Sequence, residues 1–172
     1  MTLVPAQPPV MVDIEGLWSV FRSAQGMAVI HQNLDLRIHR GDFLTIVGGS
    51  GGGKTVLLRQ MLGLETAHKG KVTVLGQPAG TLAALGGAAQ VGMLFQQGAL
   101  FSAFSVLENI AFPLKELRHL PPDLVRDVAM VKLQMVGLDA SHAHKMPADL
   151  SGGMVKRVAL ARALVLDPPL LL

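Results

Sequence analysis

The sequence predicts an α/β fold, and three observations lead to that prediction. A short apolar run at residues 42–47 is followed by a glycine-rich loop and then by a segment with helical spacing. Apolar and polar residues alternate over 10–15 and 33–39, which is typical of half-buried strands. The last third of the chain carries two further helix start signals. Strands and helices that alternate in this way predict a largely parallel sheet covered by helices.

Composition limits the classes of protein to consider. The 172 residues suffice for one domain with a sizeable core. Mean hydropathy is +0.44, but no uninterrupted apolar run approaches the roughly 18 to 20 residues of a membrane-spanning helix. The absence of cysteine excludes disulfides and thiolate metal sites. Net charge is +3 with the basic residues scattered, so no nucleic-acid partner is predicted. Residues 1–9 lack a basic n-region and are rich in proline, which predicts a disordered leader.

The first half of the chain is predicted to contain four strands and one well-defined helix. Two antiparallel strands, the first running from Val10 towards Phe21 and the second over 33–39, lead into the strand at 42–47. The helix is expected over 54–62, because Gly63 is a natural residue to follow a helix end. A further short strand is expected over 71–75, and a short helix interrupted by glycines within 77–90.

The second half is predicted to contain a short strand at 91–95 and two long helices. One helix begins at Pro121-Pro122-Asp123 and stops before Gly137, and the other runs over 151–166. Residues 170–172 are predicted to begin a buried strand. The apolar positions of the first of these helices follow helical spacing: Leu124, Val128, Val131 and Met135.

The glycine-rich loop satisfies the phosphate-binding pattern G-x-x-x-x-G-K-[ST] in the setting that the pattern requires, between a strand and a helix. Glycines allow backbone N–H groups to surround phosphate oxygens, and the helix N-terminus adds partial positive charge. Lys54 is expected to reach the β- and γ-phosphates, and the Thr55 hydroxyl to hold Mg²⁺. A flexible glycine linker is the alternative. The loop consists of Gly48, Gly49, Ser50, Gly51, Gly52, Gly53, Lys54 and Thr55.

A second motif narrows the family. Leu150-Ser151-Gly152-Gly153-Met154, followed by Arg157-Val158-Ala159-Leu160-Ala161-Arg162-Ala163-Leu164, resembles the signature motif of ABC ATPases, in which Met154 stands where glutamine is usual. The resemblance implies that these residues contact the γ-phosphate of ATP held by a second copy of the subunit, in a head-to-tail dimer. The alternative is an N-capped helix without a ligand. The implied contacts are Ser151, Gly152 and Gly153.

Two more segments resemble one branch of that family, the ATPases of Mla-type phospholipid transport, which includes the toluene-tolerance proteins. They are 93–101 and 106–114, taken together with Met154. The resemblance implies that Gln96 touches Mg²⁺ and the attacking water. It also implies that 98–101 and 106–114 line a groove for a helix of the membrane permease, although their apolar residues are equally typical of a core.

Adenine stacking is implied for Phe21, which occupies the position of the family's adenine-stacking aromatic residue. The chain has no tyrosine. Trp18 is the other candidate, and packing on the sheet is the alternative role for both residues. The cofactors expected for the intact site are ATP and Mg²⁺.

The resemblance implies a P-loop NTPase (RecA-like) core with an antiparallel β edge subdomain and a helical subdomain over about 98–150, within a nucleotide-binding domain at 10–172. It implies an ATP-binding subunit that is peripheral on the cytoplasmic face of the bacterial inner membrane. A permease and accessory lipid-transport subunits are the implied partners. The family's acidic pair would follow residue 172, so the domain is expected to be incomplete at its C-terminus and these residues alone are not expected to hydrolyse ATP. The alternatives are an ABC ATPase for another substrate, a soluble ABC ATPase acting on DNA or ribosomes, and a non-catalytic nucleotide-binding remnant.

Overall fold

A computed structural model describes residues 8–23, 26–84, 90–117 and 120–172. Most of the predicted leader at 1–9 lies outside these residues. The chain divides into two compact units, Met1–Ala88 and Ala89–Leu172. The first contains an antiparallel sheet and the glycine-rich loop, and the second contains a parallel strand pair and three longer helices.

The sheet of the first unit has four strands in the order β2-β1-β3-β4, each antiparallel to its neighbour. The alternating pattern explains the start of the first strand, because Val12 and Ile14 are buried and the residues between and after them, Asp13 and Glu15, are not. Leu17 is also fully buried, beyond a register shift between Ile14 and Leu17. Both strands predicted at the start of the chain are confirmed, although the second begins at Gly26 rather than at residue 33, and the strand expected near residue 71 is confirmed as well. The strands are β1 (Val10–Ser23), β2 (Gly26–His39), β3 (Lys69–Val74) and β4 (Gln77–Pro78).

The first helix, α1 (Lys54–Met61), begins directly after the glycine-rich loop. It ends as predicted at Gly63, whose φ is +68°. The Gly63 amide donates to the Gln60 carbonyl at 3.1 Å, and the Leu64 amide donates to the Arg59 carbonyl at 2.9 Å. These two bonds form a Schellman motif, which pairs the last carbonyls of the helix. A short helix, α2 (Ala79–Ala84), follows β4.

The strand predicted at residues 42–47 is wrong. These residues form no strand, and their apolar side chains are exposed, with Phe43 exposed by 97%. A strand forms only where its backbone N–H and C=O groups pair with those of a neighbour. Within the residues that the structure describes, no strand pairs with this segment.

The second unit begins and ends with short parallel strands, β5 (Val91–Gly92) and β6 (Leu170–Leu171). Between them lie α3 (Val106–Leu117), α4 (Pro122–Met135) and α5 (Gly152–Leu164), with short 3-10 helices at Ala140–His142 and Pro147–Asp149. The helices predicted after Pro121 and Ser151 and both strands are confirmed, although the first strand is shorter than expected. The core side chains come mainly from the three helices: Val106, Ile110, Leu114, Val125, Ala129, Leu133, Val158, Ala161 and Val165.

The apolar stripe of α4 does not form the buried face of that helix. Leu124, Val131 and Met135 are exposed, while the buried residues are Val125, Ala129, Lys132 and Leu133. The helix is therefore rotated from the orientation that an inward stripe would give. Lys132 tolerates a buried position because its ammonium pairs with the Asp167 carboxylate just after α5.

Helix α3 begins with a capping box, a pair of reciprocal hydrogen bonds between Ser105 and Glu108. The Ser105 amide donates to the Glu108 carboxylate at 2.8 Å, and the Ser105 hydroxyl accepts from the Glu108 amide at 3.3 Å. The hydrogen bond from the Ser105 amide is the main reason that the pKa of Glu108 is lowered. The first turn of α3 therefore carries a stabilised negative charge near the positive end of the helix dipole.

Candidate nucleotide-binding site

The phosphate loop lies against an irregularity in the β1–β2 hairpin. Ser19 pairs with His31 and the next residue, Val20, pairs with Val29, so Ile30 is an extra residue in β2. Such a bulge re-aims side chains locally. Both Ile30 and His31 approach Gly53, since a Cβ built on that glycine would lie 2.5 Å from Ile30 Cγ2 and 2.6 Å from His31 Nε2.

Gly53 is required at this position for two reasons. Its φ is +82°, in the region that favours glycine, and the space that a side chain would need is filled by the hairpin. Gly53 is also the residue before α1, where it supplies no side-chain cap. The first turn of α1 contains no acidic residue either. The first amides of the helix are thus left for an anion, as at other phosphate-binding helix N-termini.

Lys54 lies within the curve of the loop. Its ammonium donates to the Gly48 carbonyl at 2.7 Å and to the Gly49 carbonyl at 2.8 Å. The loop also closes on itself through the Gly52 amide, which donates to the Gly49 carbonyl at 3.2 Å. A cavity of about 160 Å³ lies beside it, lined by Ile30 and residues 51–56. Amides, an ammonium and the Thr55 hydroxyl therefore surround a space suited to phosphate groups.

A buried polar chain connects the hairpin to α1. The Ser19 hydroxyl donates to Gln60 Oε1 at 2.9 Å, and His31 Nδ1 lies 2.8 Å from the same hydroxyl. Ser19 is 1% exposed and Gln60 is 2% exposed. Burial lowers the pKa of His31. The Ser19 hydroxyl and Gln60 Oε1 thus satisfy one another, as buried polar groups require.

The two aromatic candidates for adenine stacking differ in their surroundings. The ammonium of Lys69 lies 6.0 Å from the centre of the Trp18 ring. Phe21 pairs with Ala28 in the hairpin and is half-buried. Because a lysine already covers one face of Trp18, Phe21 remains the better candidate for stacking on a base.

In the second unit, Gln96 lies in an exposed turn that follows β5. The Gly98 amide closes this turn by donating to the Phe95 carbonyl at 2.9 Å. The guanidinium of Arg162 on α5 donates to the carbonyls of Gly98 and Ala99, at 2.8 Å each. Burial lowers the pKa of Arg162. The turn that carries Gln96 is therefore tied to the helix that follows the signature motif.

An aromatic cluster continues from this turn. The ring of Phe101 lies 5.2 Å from that of Phe104 and 4.8 Å from that of Phe112, and the Arg162 guanidinium lies 5.8 Å from the Phe101 ring centre. Asn109, which is fully buried, fixes the loop. Its side chain accepts from the Phe101 amide at 2.8 Å and donates to the carbonyls of Phe101, Phe104 and Ser105.

The signature residues form the N-terminus of α5. Ser151 is the N-cap, and its hydroxyl accepts from the Met154 amide at 3.3 Å. Ser151, Gly152 and Gly153 are exposed. The first turn of α5 has no acidic residue, so its N-terminal partial charge faces no carboxylate of its own turn.

A groove of about 440 Å³ runs between α3 and α4. Leu107, Ala111, Leu114 and Val125 form its apolar lining, with Glu108, Lys115 and Arg126 among its polar residues. Val106 and Ile110 belong to the core rather than to this groove. The segment 106–114 thus supplies both core residues and part of the groove lining, while its contact with a permease helix stays a prediction.

The structure brings some predicted site residues together and adds others. In the first unit, residues 48–53 form a loop that leads directly into Lys54 and Thr55 at the start of α1. In the second unit, the turn of Gln96 packs on α5, where a Gly98 Cβ would lie 2.8 Å from Val155 Cγ1. Ile30 and His31 were not predicted as site residues, because their approach to Gly53 depends on the pairing register of β1 and β2, which the sequence alone does not give. Arg162 was noticed only as part of the signature motif. Its position ten residues after Gly152, on the helix, gives no indication that it reaches the glutamine turn.

Two features are absent from the part of the chain that the structure describes. No group of three or more His, Cys, Asp or Glu side chains is arranged to hold a metal ion. No helix in this part of the chain has both the length and the apolarity needed to span a bilayer.

Comparison with known proteins identifies the family. A family model described as ABC transporter matches residues 31–172. The intermembrane phospholipid transport ATP-binding protein MlaF of Haemophilus influenzae is 42% identical over 151 residues, which are 86% of this chain and 57% of that protein. The methionine import ATP-binding protein MetN of Ralstonia nicotianae is 39% identical over 166 residues, covering 94% and 47%. The probable ribonucleotide transport ATP-binding protein mkl of Mycobacterium leprae is 38% identical over 168 residues, covering 95% and 46%. The chain thus spans about half the length of these curated relatives.

Solved structures agree with the family match. The ATP-binding cassette MJ0796, in a dimeric post-hydrolysis state bound to ADP and Pi, is similar with a TM-score of 0.85 and 28% identity, over 94% of this chain and 72% of that one. CbiO1 from Clostridium perfringens, part of the ABC transporter complex cbiONQ, gives a TM-score of 0.79 and 27% identity, over 95% and 64%. The expected fold, a P-loop NTPase of the ABC cassette type, is confirmed. On both grounds, this chain belongs to the ABC transporter family of ATP-binding proteins.

Proposed function

We propose that this chain is the nucleotide-binding part of an ABC transporter subunit that couples ATP binding and hydrolysis to phospholipid transport at the bacterial inner membrane. The observation that carries the proposal is the phosphate loop, where the Lys54 ammonium is held by loop carbonyls beside the uncapped N-terminus of α1. A lysine held in a glycine-rich loop beside an uncapped helix N-terminus is typical of phosphate-binding sites and of few other sites.

In this proposal, Lys54 exchanges its loop carbonyls for β- and γ-phosphate oxygens, while the amides of 49–55 donate to the remaining oxygens. Thr55 would supply a hydroxyl to Mg²⁺. That fits an ion which usually takes few protein ligands and is held largely by phosphates and water. Gln96 would contact Mg²⁺ and the attacking water, and Phe21 would stack on adenine.

The exposed signature segment supports a head-to-tail dimer as the active form. Ser151, Gly152 and Gly153 would present donors to the γ-phosphate of an ATP bound by a second copy. The relative MJ0796 has been solved as a dimer, which supports the same assembly here. Because each phosphate loop would be completed by the partner's signature residues, ATP binding would close the dimer and hydrolysis would reopen it.

Docking of a permease helix would use the surface around the aromatic cluster. Phe101 is exposed by 43%. Phe104 and Phe112 are only half-buried, and the groove between α3 and α4 is largely apolar. An amphipathic permease helix fits such a surface. The subunit would then be peripheral, at the cytoplasmic face of the membrane, with accessory lipid-transport subunits as further partners.

Nucleotide binding is the first test. Titration of the chain with a fluorescent ATP analogue should give saturable binding that Lys54→Ala weakens by at least about tenfold, because the lysine contacts the phosphates directly. Lys156→Ala, on the exposed side of α5, is the control and should bind as the parent chain does. Equal affinity of the parent chain and the Lys54 variant would overturn the proposal.

The transported substrate needs a separate test, because relatives named for methionine and ribonucleotide transport are nearly as similar as MlaF. The subunit would be purified with its permease and reconstituted in vesicles. Stimulation of ATP hydrolysis by phospholipid, but not by methionine or ribonucleotides, is expected. Stimulation by one of the others alone would assign the chain to that branch of transporters.

We expect ATP hydrolysis to depend on the acidic pair that is typical of the family, because that pair orders Mg²⁺ and polarises the attacking water. A phosphate-release assay with and without Mg²⁺ checks this. Turnover by these residues that is lost in Lys54→Ala would contradict the expectation. A regulatory nucleotide-binding role would instead give binding without turnover when the acidic pair is present.

A further inference from the structure

We propose that His31 is a positioning residue for the phosphate loop, held in place by Ser19 and Gln60 so that its imidazole supports Gly53 from behind. The inference rests on the proposed nucleotide-binding function and adds a residue that the phosphate-binding pattern does not contain. Three observations carry it: the bulge at Ile30, the polar chain through Ser19, and the close approach of His31 Nε2 to Gly53.

The polar chain determines which nitrogen of His31 carries the proton. Gln60 Oε1 can only accept, so the Ser19 hydroxyl uses its single hydrogen there. The hydroxyl must then accept from His31 Nδ1, 2.8 Å away. In the neutral imidazole, Nδ1 therefore bears the hydrogen and Nε2, the nitrogen beside Gly53, carries a lone pair.

The polar chain of His31, Ser19 and Gln60 extends from one end of α1 to the other. His31 lies at Gly53, the residue before the helix, and Gln60 is in its last turn. Ser19 contacts both His31 and Gln60 and lies on β1, the strand between β2 and β3 in the sheet. A displacement of the imidazole would thus be transmitted to the residue that sets the direction of the first helical amides and of Lys54.

Support from behind matters because the loop is otherwise exposed. Residues 48–52 are exposed, whereas Gly53 is buried against the hairpin. Binding of phosphate depends on how well several amides are pre-oriented, and small displacements of positioning groups reduce such binding strongly. Two of the three atoms nearest to the position of a Gly53 Cβ, Nε2 and Cε1, belong to the His31 imidazole.

The test uses four variants of the chain and three measurements. His31→Ala removes the support, and Ser19→Ala removes the acceptor that orients the ring. Ser19→Thr keeps a hydroxyl, and His68→Ala removes an exposed histidine of the same unit. Affinity is measured by titration with a fluorescent ADP analogue, and the protonated nitrogen of His31 by ¹⁵N chemical shifts. Thermal unfolding confirms that each variant is folded.

We expect His31→Ala to weaken binding by about tenfold and Ser19→Ala by about threefold, with Ser19→Thr and His68→Ala within about twofold of the parent chain. In the parent chain the His31 shifts should show hydrogen on Nδ1 and an Nε2 resonance that moves when ADP is added. In Ser19→Ala the hydrogen should move to Nε2. If His31→Ala fails to fold, the affinities of Ser19→Ala and Ser19→Thr and the ¹⁵N shifts of His31 decide whether the positioning role holds.

The outcomes separate this inference from the proposed function. Binding that Lys54→Ala abolishes and that the His31 and Ser19 variants leave unchanged would overturn the positioning role alone. Hydrogen on Nε2 of His31 in the parent chain would overturn it as well. No binding by the parent chain would overturn both the proposed function and this role.

Discussion

The side chain of Lys132 is 8% exposed, whereas its ion-pair partner Asp167 is 81% exposed. The lysine therefore carries the desolvation cost of the pair, and the exposed Asp167 carboxylate supplies the compensating charge. Asp167 lies between the end of α5 and Pro168, and its φ is +48°. The pair thus joins the buried face of α4 to the turn before β6.

Removing Asp167 should reduce the free energy of unfolding more than removing Lys132 does. Asp167→Asn leaves the Lys132 ammonium without a counter-charge and should lower the free energy of unfolding by about 1 to 2 kcal/mol, less than for a fully buried pair because the carboxylate is exposed. Asparagine is suited to a positive φ, so backbone strain adds little. Lys132→Met should change stability by less than about 1 kcal/mol. Urea denaturation measures both, and a larger loss for Lys132→Met would contradict this account.

Gly53 should not accept even the smallest side chain. Gly53→Ala combines a positive φ with contacts of 2.5 and 2.6 Å to Ile30 and His31. The loop must move, so affinity for a fluorescent ATP analogue should fall by more than about tenfold. Gly80→Ala is a matched control, because its Cβ would meet nothing within 4 Å and it lies in α2. An unchanged affinity in Gly53→Ala would show that the loop adjusts freely.

Arg162 should stabilise the glutamine turn more than a surface charge would. Arg162→Ala leaves the carbonyls of Gly98 and Ala99 without their donors and should cost about 1.5 to 3 kcal/mol, while Arg162→Lys should recover part of this. Hydrogen exchange of the Gly98 amide should accelerate in the alanine variant. Lys156→Ala, exposed on the same helix, is the control. An unchanged rate of hydrogen exchange at the Gly98 amide in Arg162→Ala would show that Arg162 does not stabilise the turn.

The capping box of α3 should make stability depend on acid pH. The pKa of Glu108 is lower in the folded chain than its ordinary value of 4.5. Its contribution is therefore complete above about pH 4.5 and is lost as the pH falls through the folded value. Glu108→Gln keeps an acceptor for Ser105 but cannot titrate. Its unfolding temperature should therefore change less than that of the parent chain between about pH 6 and about pH 3. Glu116→Gln, exposed on α3, should follow the parent chain.

Helix ends were predictable from the sequence because their signals are local. Gly63 ends α1 through a Schellman motif, Pro122 begins α4, and Ser151 caps α5, each within a residue or two of the expected position. Such signals depend on the backbone conformation of a few neighbouring residues. The two sequence motifs of the candidate site were visible for the same reason.

Features that depend on distant partners were not predictable. Residues 42–47 have a strand-like composition, but composition supplies no neighbour to pair with. Leu124, Val131 and Met135 have the right period, yet the period does not say which side of α4 meets the core. The approach of His31 to Gly53 depends on the pairing register of two strands. Arg162 reaches Gly98 across 64 residues of sequence.

Trp18 pairs with Lys69 in the sheet of the first unit, and the chain contains one tryptophan and no tyrosine. Excitation of indole therefore reports on the hairpin and β3 alone, without a mutation or a dye. The lysine ammonium near the ring makes that emission sensitive to any separation of β1 from β3. Unfolding of the antiparallel sheet can thus be followed optically while far-ultraviolet circular dichroism follows the helices, most of which lie in the second unit.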